Sequence, residues 1–151
     1  MTPTPIRALL SHPAAETLAR VVLTFPFWGS GFDKLVHTGK GLDTMRAFGL
    51  EPAWLFLVAT VAVQIVGSAL VVTGRMAWLG AGALGVFTVL TIPIAHHFWA
   101  LEGAAALHAF HTAAEHVGMV GGLLAIAALS ARPRAAAEPG PVPMPQIVTA
   151  R

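Results

Sequence analysis

The chain has 151 residues, of which 56% are hydrophobic and 11% charged, with a net charge of +2 and no cysteine. A soluble domain carries about 25% charged residues, so this composition calls for a bilayer as solvent, and the length suits one domain. The lack of cysteine excludes disulfides, thiolate metal sites and iron–sulfur clusters, and the scattered basic residues exclude nucleic acid as a partner.

Four apolar runs approach the roughly 20 residues a helix needs to cross hydrocarbon. After a short segment 1–14, expected to fray at MTPTPIR, the first run covers 15–32 and holds Glu16, Arg20 and Pro26. It resembles a secretory signal, but no small-residue cleavage motif follows, so it reads as an uncleaved span. The second, 52–73, has Gln64 as its one strongly polar side chain, and the third, 76–99, is uncharged up to His96. The fourth is 112–131, and the Ala- and Pro-rich residues 132–151 read as a disordered tail. The runs are continuous rather than alternating, which predicts an all-α, integral membrane four-helix bundle and not a barrel.

Four spans put both termini on one side. Arg7, Arg75, Arg132, Arg134 and Arg151 collect there, with Arg20 nearby, against Lys34, Lys40 and Arg46 on the other side. The positive-inside rule then places both termini in the cytoplasm of a multi-pass protein of the inner (plasma) membrane. Ala77, Ala81 and Gly85 on the third span, and Gly118 and Gly122 on the fourth, have the small-residue spacing of close helix contacts. They predict tight packing of these two spans, with a homo-oligomer contact as the alternative. Trp28, Trp54, Trp78 and Trp99 fall near span ends, where an aromatic belt sits. Arg20 has two readings, snorkelling to the inner surface or an internal bond to Gln64.

The stretch AHHFWALEGAAALHAFHTAAEH holds five of the seven histidines. On a helix His108, His111 and Glu115 share one face, and His97 closes the preceding span. A divalent metal held by His97, His108, His111 and Glu115 is one reading. Contact of His97, His108 and His111 with a quinone, or proton relay, is a second. A tetrapyrrole ligated by His116 is a third, and interfacial polar residues that merely end the helices are the fourth. Asp33 and Lys34 end the first span on the same side, so Arg20, Asp33, Lys34, Gln64 and His97 form a candidate polar cluster, and Asp33–Lys34 is equally readable as an ordinary interface pair. No nucleophilic triad or phosphate loop is present.

Several pieces taken in order carry a resemblance: RVVLTFPFWGSGFDKL from Arg20, FGLEPAW, VQIVGSALVVTG, His97-Phe98-Trp99 and HVGMVGGLLAIA. Together they resemble the DoxX family of small four-helix membrane proteins, over roughly residues 18–129. Gln64 stands where the family commonly has an acid, which reduces any ion pair with Arg20 to a hydrogen bond. Glu115-His116 stands near a frequent Lys-Asn pair. The resemblance implies the bundle more firmly than an activity, since relatives include the small subunit of a thiosulfate:quinone oxidoreductase and many members without an assigned reaction. The functions it leaves open are an accessory subunit of a redox-related membrane complex, a small quinone-linked oxidoreductase, and a histidine-based metal-binding or transport protein.

Overall fold

The computed structural model describes residues 2–131, and the 132–151 tail expected to be disordered lies outside them. Among the described residues the regular structure is entirely helical: α1 (Thr4–Leu10), α2 (Pro13–Val36), α3 (Thr38–Ala47), α4 (Ala53–Thr73), α5 (Ala77–Ala95), a 3-10 turn (Phe98–Ala100) and α6 (Gly103–Ser130). Segment 1–14 is thus partly helical rather than frayed.

Three helices are each long and apolar enough to cross a membrane: Ala53–Thr73, Ala77–Ala100 counting the 3-10 turn, and Gly103–Ser130. Apolar side chains dominate their surfaces, apart from His108, His111 and Glu115 in the first half of α6, and the exposed Leu, Val and Phe along them suit a lipid solvent. α2 is also long, but Glu16, Arg20, Asp33 and Lys34 dilute it. It starts at Pro13, where the lost N–H is an orphan in any case, and the His12 ring accepts a hydrogen bond from Ala14 N at 3.2 Å. Pro26 sits inside α2. Near this break in the ladder, Thr24 Oγ1 donates to Arg20 O at 2.7 Å and Trp28 Nε1 donates to Val21 O at 3.4 Å. Trp28 therefore turns its N–H inward, whereas Trp54, Trp78 and Trp99 are exposed near helix ends.

Packing runs α2 on α4, α4 on α5 and α5 on α6, with α2 meeting α6 more sparsely. The core joins Phe27, Val71, Ala81, Leu84 and Leu123, one or two from each long helix. The α4–α5 hairpin closes through Gly74, left-handed at φ 73°, as glycine allows without strain. Its helices touch backbone to backbone: a Cβ on Gly80 would lie 2.6 Å from Gly67 O. The tight packing expected between the third and fourth spans is formed, though not through every small residue expected. α5 and α6 do pack together, with Ala77 and Ala81 buried, but Gly85 and Gly118 face open space and Gly122 packs on Leu23 of α2. A further close approach, not expected, joins α4 and α5, because Gly67 and Gly80 fall opposite each other across the short turn.

α3 had no counterpart among the expected elements. Leu42 and Met45 face Ala53, Leu57 and Val61, and Gly41 lies so close to Leu57 that a Cβ would come within 2.8 Å of it. Lys40, Asp43 and Arg46 lie elsewhere on this helix, the last two paired at 2.9 Å. An amphipathic helix thus covers the start of α4.

Candidate functional site

Polar chemistry gathers at three levels. At the α4–α5 turn, Arg20 donates through Nη1 to Val71 O at 3.4 Å and through Nη2 to the Glu16 carboxylate. The guanidinium thereby caps the carbonyl end of α4, where the helix dipole favours a cation. A Cβ at Gly74 would collide with this guanidinium. Of the two readings for Arg20, the bond to Gln64 is not formed. Glu16, one turn earlier, draws the side chain toward the helix end instead.

Deeper between α2 and α4, Lys34 Nζ donates to Ser30 Oγ at 2.6 Å, and Gln64 Nε2 reaches the same hydroxyl at 3.5 Å. Ser68 Oγ donates to Gln64 O at 2.6 Å, so the α4 backbone beside Gln64 is well supplied with donors. The Gln64 side chain is 4% exposed, and its Oε1 is buried with no hydrogen-bond partner. A buried amide oxygen without a donor costs about 1–3 kcal/mol. Gln64→Leu is accordingly expected to leave the melting temperature in detergent unchanged or raised. A clear fall would show that Oε1 has a partner in solution.

Arg20, Asp33, Lys34, Gln64 and His97 do not form one cluster. Lys34 and Gln64 share Ser30, but Arg20 lies fourteen residues from Lys34 along α2, roughly 21 Å at 1.5 Å per residue. Asp33 turns outward to His37 at 2.9 Å, both of them exposed. His97 opens the 3-10 turn and joins neither group.

At the end of α5 the histidines separate. α6 begins at Gly103, nine residues before the expected start, so His108, His111 and Glu115 do lie on one helix. Their shared face is exposed, while Ala109 and Ala113 form the buried stripe. Among the described residues no group of three or more His, Asp or Glu is placed to hold a metal. The set His97, His108, His111 and Glu115 thus does not converge, because the common face points away from the bundle while His97 is half-buried at the 3-10 turn. What does converge is a pair that spacing missed: His96 and His116, with ring centroids 4.9 Å apart. His116 Nδ1 donates to Thr112 O at 2.8 Å. The non-helical backbone at His96, φ −128° and ψ 40°, ends α5 and turns its ring out of the helical register. Twenty residues separate the two, so no local pattern announces them.

On its outer flank α5 carries Gly82 and Gly85, with no neighbour within 4 Å of either would-be Cβ. They open onto an apolar groove between α5 and α6 of about 360 Å³, floored by Ala81 and Leu123 and walled by Val86, Val89 and Leu124.

An all-helical fold among the described residues, with three helices long and apolar enough to cross a bilayer, is that of a membrane protein. Residues 15–97 match the family model described as DoxX, more than half of the chain, and the protein belongs to the DoxX family. No curated protein and no solved structure matches it. The match runs from the first turn of α2 through α5 and ends at His97, so His108, His111, Glu115 and His116 lie outside the matched residues.

Proposed function

We propose that this DoxX protein is an accessory subunit of a redox-related membrane complex, without turnover of its own. The observation that carries the proposal is the α5–α6 groove. A span that shows open glycines beside an apolar trough is built for another helix to approach closely, since lipid-embedded helices associate by backbone proximity. The separation of Arg20 and His97 from the Lys34–Ser30–Gln64 group supports the same reading, because the candidate residues do not meet at one place. In this proposal α2 is a fourth span, the domain covers 15–131, and both termini face the cytoplasm of the inner membrane. Arg7 and Arg75 at one end and Lys34, Lys40 and Arg46 at the other support that orientation.

Extraction from native membranes in mild detergent tests the role. The wild-type chain is expected to co-migrate with a larger membrane protein, and Gly85→Trp, which fills the trough, to be released from it with its helical content and melting temperature retained. A bare monomer with its own turnover defeats the proposal.

One observation favours a second reading, a small quinone-linked oxidoreductase. The unpartnered Gln64 Oε1, beside the Ser30 hydroxyl and the Lys34 ammonium, offers an acceptor and donors close together, as a quinol headgroup requires. Gln64→Leu separates the readings: it removes quinone-dependent reduction under the second and leaves complex formation intact under the first.

A further inference from the structure

Outside both of those readings, we infer that His96 and His116 form a two-imidazole site for a transition-metal ion of the zinc and copper class. Two imidazoles that share one ion at about 2.0–2.1 Å per bond, at a near-tetrahedral angle, have centroids roughly 5 Å apart. The observed separation is 4.9 Å, with the ring planes inclined at 65°.

The state of each ring fits this use. A carbonyl oxygen only accepts, so the bond from His116 Nδ1 to Thr112 O fixes the proton on Nδ1. The lone pair of the neutral ring then lies on Nε2. A backbone carbonyl on the far ring nitrogen is the usual support of a metal-ligating histidine, because it sets the tautomer and raises the basicity of the ligand. Among the described residues no hydrogen bond occupies the His96 ring. Both rings are half-buried, held between the end of α5 and the first turns of α6.

Imidazole, in the absence of thiolate or carboxylate, selects zinc, copper and their neighbours over magnesium and calcium. Neither Glu102 nor Glu115 joins the pair. Two protein ligands leave further coordination positions open, so the bound ion exchanges readily and remains accessible from the α5–α6 loop. His97 and His108 also stand near His96 but complete no group of three with the pair among the described residues, and only His96 of the two ligands falls within the family match.

The test uses the tag-free full chain in mild detergent, with Co²⁺ as the optical probe and Zn²⁺ as competitor. The wild-type protein is expected to bind one equivalent of Co²⁺ with visible d–d absorption that Zn²⁺ abolishes. Loss of an outer-shell support costs about 10–100-fold in affinity, so removal of a ligand itself by His96→Ala or His116→Ala should weaken binding by at least about tenfold. His108→Ala and His111→Ala should bind as wild type. His96→Asn and His116→Asn, whose melting temperatures without metal report folding, guard against loss by unfolding; Zn²⁺ should raise the melting temperature of wild type and of neither Asn variant. Failure of wild type to bind, full binding by the His96 and His116 variants, or loss confined to the His108 and His111 variants would each overturn the inference and leave the pair as an edge-to-face ring contact.

Discussion

Gly80→Ala is expected to destabilise the protein, whereas Gly82→Ala, two residues along the same helix, stabilises it. In Gly80 the added methyl meets Gly67 O at 2.6 Å and Leu70 Cβ at 2.8 Å, so α4 and α5 must move apart. Overpacking of this kind costs about 1–3 kcal/mol, and backbone cannot yield as a side chain does. Alanine also gains about 1 kcal/mol of helix propensity over glycine, which opposes the loss at Gly80 and stands alone at Gly82, where nothing lies within 4 Å. Gly67→Ala should fall between them, since its Cβ meets the buried Leu84 side chain at 2.9 Å and the nearest backbone, Gly80 O, only at 3.5 Å. Thermal melts in one detergent give the ranking. A Gly80→Ala protein as stable as Gly82→Ala would mean that α4 and α5 do not touch here.

The second large effect concerns Arg20. Its side chain is 18% exposed and holds the end of α4, while Glu16 is 63% exposed. Arg20→Leu removes the second donor to Val71 O, which keeps its bond from Gly74 N at 3.2 Å, and removes a charge from the carbonyl end of a helix. Hydrogen bonds to charged groups contribute about 1.5–3 kcal/mol, so a loss near that size is expected. Glu16→Gln should change stability by less than about 1 kcal/mol, as exposed pairs do. Arg20→Lys recovers little, because one ammonium does not reproduce a fork that serves a carbonyl and a carboxylate together. Gly74→Ala disturbs the same place from the other side, through its positive φ and its collision with the guanidinium. Combined with Arg20→Leu it should cost less than the sum of the two, since the collision is gone. Strict additivity, measured by thermal melts of the four proteins, would place Arg20 elsewhere.

These two sites also show what a sequence can and cannot disclose. The apolar runs of α4, α5 and α6 are continuous, so their presence is legible residue by residue. The start of α6 is not, because GAAALHAF is helical through alanine propensity rather than through hydropathy, and an apolar window passes over it. α3 hides for a related reason: its buried face is only Gly41, Leu42 and Met45, and its partner Leu57 sits beyond a loop. Periodicity correctly puts His108, His111 and Glu115 on one face, yet it carries no information about which way that face turns. Depth alone made Gln64 reachable from Arg20, but the direction of each side chain around its helix decided otherwise. Gln64 itself stood out at once as the lone amide in an apolar run, whereas its missing partner needed three dimensions.

The modest apolar character of α2 has a consequence for how the protein is made. α4, α5 and α6 each carry enough hydrophobic length to enter a bilayer unaided. α2 holds Arg20 near one end and Asp33 and Lys34 near the other; Glu16, His37 and Ser30 meet these groups locally, and only the bond from Arg20 to Val71 O needs α4 beside it. During synthesis on the ribosome α2 emerges before α4. If α2 is the fourth span of the proposed topology, its local pairs lighten the cost of bringing its charges into lipid, and the arrival of α4 adds the acceptor at Val71 O.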